Sequence, residues 1–141
     1  MAALADNREA LRTAIFELSQ TSEPLRGILL YDHTAVVPPN YDEQERSVIW
    51  VRSSINTTEI GEQFMGGGYT QNANLRFEIG SPREASARRD AIADALIERF
   101  SASRIGTMDV EHLSERDEPD QTAARTWYET DVVLSCSWDE D

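Results

Sequence analysis

Lysine is missing from all 141 residues, so the thirteen basic side chains are all arginine. A single cysteine, Cys136, excludes an internal disulfide. With only His33 and His112 besides, no Cys/His set at zinc spacing exists. No apolar run approaches the ~20 residues of a membrane-spanning helix. The opening MAALADNREA lacks the basic-then-apolar order of a secretory signal. These absences lead us to expect a soluble chain made without oxidative cross-links, with no membrane partner and no cofactor. The length favours one domain over residues 1–141.

Base is scarce against acid: 26 acidic residues give a formal net charge of −13. Such a surface repels phosphates and argues against sequence-independent nucleic-acid binding. Two readings of the imbalance stand. One is a saline host, whose salt shortens the Debye length to ~3 Å at 1 M and screens self-repulsion. The other is a GC-rich genome that spells its bases as arginine. Stability followed from low to molar NaCl separates them, since the saline reading requires a gain.

What is present falls into two helices and several strands. Asp6 and Glu9 have capping-box spacing, and Leu11, Ala14, Ile15 and Leu18 follow on one helical face until Ser22 and Pro24 stop it. A short apolar stretch, Ile28 to Tyr31, leads to a loop closed by Pro38 and Pro39. Residues 47–56 are rich in β-formers and follow the acidic loop YDEQER. A polar connection and then a glycine loop are expected next. In the strand at 73–79, Leu75, Phe77 and Ile79 alternate with Arg76 and Glu78, the pattern of a sheet buried on one side.

The second helix is expected to open on Ser81 as N-cap, Pro82 at the first position and Glu84 at the third. Ala85, Ile92, Leu96 and Phe100 trace its stripe, with Ala91 and Ala95 beside it and Arg88 and Glu98 in solvent. Arg89 falls at the stripe's edge, where its stem can lie on apolar surface while its charge reaches water. Two strands close the chain, at 107–113 and 126–138, joined by the polar stretch SERDEPDQTAA. In the last one Tyr128, Thr130, Val132, Leu134, Cys136 and Trp138 share a side. The order predicts an α+β fold with a mostly antiparallel sheet against two helices.

Chemistry is harder to find. The stretch FMGGGYT (Phe64, Met65, Gly66, Gly67, Gly68, Tyr69, Thr70) invites a phosphate-loop reading. A Walker loop needs a lysine, however, and a dinucleotide loop must lead into a helix, whereas this one leads to a strand. It reads as a hinge or a tip. Asp32–His33 has the makings of an acid–base pair, though a polar surface doublet is the commoner meaning. Asp109, Glu111 and His112 offer metal ligands, but alternation puts His112 on the opposite face from the two acids. The acidic runs 117–120 and 139–141 lack the spaced oxygens and central glycine of an EF-hand loop. Cys136 reads as a buried thiol. No catalytic set emerges.

The layout as a whole carries more. A short helix, a Trp-bearing strand, a glycine-tipped excursion with GGGY and a strand ending in Gly-Ser-Pro come first. The helix REASARRDAIADALIERF, a weak strand and the closing RTWYETDVVLSCSW follow. Over roughly residues 7–138 this resembles the tail terminator (tail completion) proteins of long-tailed bacteriophages and related archaeal viruses. The resemblance implies a non-enzymatic α+β virion subunit, assembled in the host cytoplasm, that forms a hexameric ring. That ring caps the tail tube protein's last ring, ends polymerisation and docks the head–tail connector protein, while viral DNA passes its pore without specific binding. The acid excess and missing lysine depart from many relatives. Residues 61–72, with Phe64 to Tyr69 at their centre, are then expected to touch a neighbouring subunit or the tube. The alternative for the tip is a hairpin whose aromatics fold back on their own core. For the chain as a whole, alternatives are another head–tail joining or tail tube protein, or a small enzyme with an acidic metal site.

Overall fold

In the computed structural model, residues 2–32, 49–82, 85–119 and 128–141 are described. The N-terminal helix α1 covers Ala2–Thr21, and a 3-10 turn, Glu23–Leu25, follows it. Next come β1 (Leu29–Tyr31), β2 (Trp50–Gln63), β3 (Tyr69–Ser81) and helix α2 (Ser86–Phe100). Strands β4 (Ser103–Ile105), β5 (Met108–Asp117) and β6 (Tyr128–Glu140) complete the chain. They form one six-stranded sheet in the order β1-β2-β3-β6-β5-β4, antiparallel throughout except for the β1–β2 pair. The expected α+β class is what forms.

Alternation assigns the sheet's two faces. Val51, Ile55, Leu75, Phe77, Ile79, Val132, Leu134 and Trp138 are buried in one cluster with Leu11 and Ile15 of α1 and Ile92, Leu96 and Phe100 of α2. Facing pairs such as Phe77 with Val132 and Leu75 with Leu134 are cross-strand partners, so each strand's apolar set meets the next at one level. The opposite face carries Arg52, Glu78 and Asp131 in one row, and Asn56, Asn74 and Ser135 in another.

Several expectations need correction. Helix α1 begins at Ala2, four residues before Asp6, because Ala3 and Leu4 pack against the core and extend the helix. Asp6 and Glu9 therefore lie inside the helix, and Glu9 pairs with Arg12. Ser81 does not cap α2. It is the last residue of β3, paired with Tyr128, while Ala85 occupies the N-cap. Thirteen consecutive β3–β6 pairs outweigh one local cap. Arg83 and Glu84 lie outside the described residues, as do Pro38, Pro39 and the YDEQER loop.

No polar connection follows residue 56 either, since β2 runs on to Gln63. β5 extends through the SERD part of the expected connection, to Asp117. The short β4 carried too little pattern to be expected.

Asn7 ties α1 to the β4–β5 turn. It is fully buried, and its Oδ1 accepts from the Thr107 backbone N–H at 2.9 Å and hydroxyl at 3.2 Å. Asn7→Ala would strand the Thr107 donors and is expected to cost ~1–3 kcal/mol in urea unfolding. A loss under ~0.5 kcal/mol would mean that water replaces the amide there.

Candidate functional site

The glycine stretch forms the tip of the β2–β3 hairpin. Gln63 pairs with Tyr69, and residues 64–68 close the turn through Phe64 N–H to Gly68 carbonyl (3.0 Å) and Gly67 N–H to Phe64 carbonyl (3.2 Å). Gly67 and Gly68 hold φ of 97° and 88°, values that a side chain strains. A Cβ on Gly68 would also lie 2.6 Å from the Glu140 carbonyl oxygen. The glycines thus form a defined turn against the end of β6. Strand β6 stiffens the hairpin on that side: Tyr69 pairs with Glu140, and Thr70 Oγ1 donates to Asp139 at 3.0 Å. The Trp138 indole donates to Glu140 at 2.9 Å and holds that carboxyl below its ordinary pKa.

The tip's apolar side chains stay outside the core. Phe64 is 39% exposed, Met65 is fully exposed, and Tyr69 is half-buried. Ile60, between two register shifts of β2, is exposed as well. The expected excursion over 61–72 narrows to a five-residue turn, 64–68, because its flanks are paired strand.

The outer face of the sheet holds a second constellation. Glu129 and Asp131 of β6 are each 6% exposed, and with Glu78 of β3 they bring carboxylate oxygens within 4.8 Å of one another. Two arginines answer them. Arg52 donates to Glu78 and Arg76 to Asp131, each at 2.8 Å. Burial nevertheless pushes the Asp131 carboxyl up to about 7, helped by a hydrogen bond and like charge from Glu129 and opposed by Arg76. Trp50 helps to cover this row. Its indole fills the space above Gly80, where a Cβ would meet the ring at 2.1 Å, and Gly80 is the partner of Glu129. The signal available in the sequence was Trp50 itself: an aromatic on the face opposite Val51 needs cover.

This trio is the one grouping of three or more potential metal ligands among the described residues. Arg52 and Arg76 already neutralise two of its charges, so a cation bound there would meet positive charge. Asp109, Glu111 and His112 do not assemble with it. Asp109 lies 3.8 Å from Arg104, and Glu111 and His112 are exposed. Asp32 pairs with Arg12 at 3.0 Å, whereas His33 lies outside the described residues. Of the acidic runs, Asp117 belongs to β5, Asp120 is outside the described residues, and Asp139 ends on the outer face. Cys136 is buried, which pushes its thiol up to about 12 and leaves it no nucleophile.

Arg89 overturns its expected placement. It is 5% exposed and fully engaged: Nε donates to Thr130 Oγ1 at 2.9 Å and Nη1 to Ser81 Oγ at 2.7 Å. Glu118 stands 4.0 Å from Nη2. The hydroxyls that alternation points into the apolar face give this guanidinium a reason to turn inward. It clamps α2 to the ends of β3 and β6.

No helix among the described residues is long and apolar enough to cross a membrane. No protein-family model and no curated protein sequence matches the chain. Solved structures do. A chain of the "Virion of native gene transfer agent (GTA) particle" has a TM-score of 0.60 and 14% identity, over 99% of this chain and 100% of that one. A second solved protein, carrying no functional name, has a TM-score of 0.61 and 12% identity, over 94% of this chain and 96% of that one. At such identities the likeness is one of fold, and the chain shares its α+β architecture end to end with that virion chain.

Proposed function

We propose that this chain is a non-enzymatic virion subunit of one domain that assembles as a ring, caps a tail tube, ends its polymerisation and offers a docking face to the head connector. The observation that carries the virion part is the end-to-end fold likeness to a chain of the gene transfer agent virion. The finer part, a hexameric tail terminator, rests on the resemblance of element order and loop, and on the exposed hairpin tip. Phe64 and Met65 are costly to leave in water, and the partly exposed Tyr69 lies beside them. A neighbouring subunit or the tube would bury them, in the heterologous kind of contact that closes rings. The net charge of −13 suits a lumen through which DNA passes without sticking.

The purified protein, weighed by native mass spectrometry alone and after mixing with tail tubes, tests the assignment. A ring on the tube ends is expected, whether or not the free protein is monomeric. Particles lacking the protein should show tails of uncontrolled length or tails without heads. Joined tails of normal length would overturn the terminator role. A protein that adds all along the tube would make it a tube subunit instead.

A further inference from the structure

The β5–β6 ladder ends on two acids. Its last pair is Asp117 opposite Asp131, and like charges directly opposite on neighbouring strands repel. Around Asp131 stand Glu129 on its own strand, Glu78 and Arg76 on β3, Arg52 on β2, and Glu115 and Asp117 on β5. Four carboxyls, Glu129, Glu78, Glu115 and Asp117, thus surround Asp131, against two arginines. A cleft of about 370 Å³ lies between the strands, lined by Arg76, Glu115, Asp117, Pro119, Asp131 and Val133. Asp131 Oδ1 is buried without a donor among the described residues, although Arg76 serves Oδ2. A carboxylate oxygen in that position gains from a proton shared with the adjacent Glu129, and burial favours the neutral form.

We propose that Glu129 and Asp131, with Asp117 opposite, form a proton-operated latch: one shared proton holds the end of β5 on β6, and its loss loosens residues 115–117. The direction follows from linkage. Asp131 is raised in the folded chain from an ordinary 3.8 to about 7. Its contribution is therefore complete below the ordinary value and is lost as pH rises through about 7. Only the strand end has to respond, because the pairs before it, Asp109 with Ser137, Val110 with Cys136 and Leu113 with Leu134, set no acid opposite another.

Amide exchange read by NMR, expressed as protection factors so that intrinsic rates cancel, tests the latch in the whole chain. Protection at residues 115–117 should fall by up to about tenfold per pH unit between pH 5 and 7, the slope of one linked proton. Asp131→Asn keeps an acceptor for Arg76 but cannot ionise, and should make that protection flat with pH. Carbon-13 titration of the wild-type Asp131 carboxyl should give a midpoint near neutral. Flat wild-type protection, an unchanged slope in Asp131→Asn, or a midpoint in the ordinary carboxylate range would each overturn the proposal. If Asp131→Asn does not fold, Glu129→Gln takes its place, and the wild-type titration stands by itself.

Discussion

Phe100→Ala is expected to remove ~3–5 kcal/mol of stability, the range for a fully buried phenylalanine. Phe100 ends α2 with no exposed surface, and its ring packs on Phe77 of β3 at a centroid distance of 5.3 Å. It is the anchor where the helix stripe meets the middle of the sheet, beneath the Phe77–Val132 pair. The Arg99 guanidinium lies 5.0 Å from the ring centroid, and its cation–π attraction would be lost too. Neighbours on rigid strands leave little room for collapse, so the cavity should persist. Since domains hold only ~5–15 kcal/mol in total, the variant should sit near the edge of folding. Urea unfolding decides it: a loss below ~1 kcal/mol would show that the site repacks or that Phe100 is not the anchor.

How far the sequence carried the fold depends on whether a residue's role is set by its own strand or by a neighbour. The stripe Ile92, Leu96, Phe100 and the alternation from Thr130 to Trp138 were legible, because each buries its own apolar face. The distal part of β2, residues 57–63, was not. Its TTEIGEQ is polar and exposed, and it is a strand only because β3 offers a ladder through two register shifts. Ser81 looked like a cap because its pairing with Tyr128 is a long-range fact. Glu129 and Asp131 obey alternation in facing away from the core, yet they are buried because Trp50 and the ion pairs of Arg52 and Arg76 close over that row. Alternation tells which face a side chain takes, but not what covers it. The tip was legible as a tip, since three glycines between two apolar groups fit no regular element, but its partner surface was not.

The second large effect concerns that tip. Phe64→Ser combined with Met65→Ser is expected to leave monomer stability within ~1 kcal/mol and to weaken ring formation or tube capping by ~10–1000-fold. The first figure follows from exposure: Met65 touches little, and Phe64 is only partly covered. The second is the ~1–4 kcal/mol by which truncating interface anchors reduces binding. Alanine at the glycines would be a poorer probe. Gly67 and Gly68 need positive φ, and a Cβ on Gly68 would run into the Glu140 carbonyl, so assembly could fail merely because the hairpin end had been rebuilt. Gly66 differs: a Cβ there meets open space, and its φ is not positive. Gly66→Ala should fold and cap tubes as the wild type does, which makes it the control. The serine pair isolates the apolar contact from the turn that presents it. If the serine variant folds, as circular dichroism and urea unfolding would report, and still caps tail tubes at wild-type protein concentration, the tip is not the docking surface.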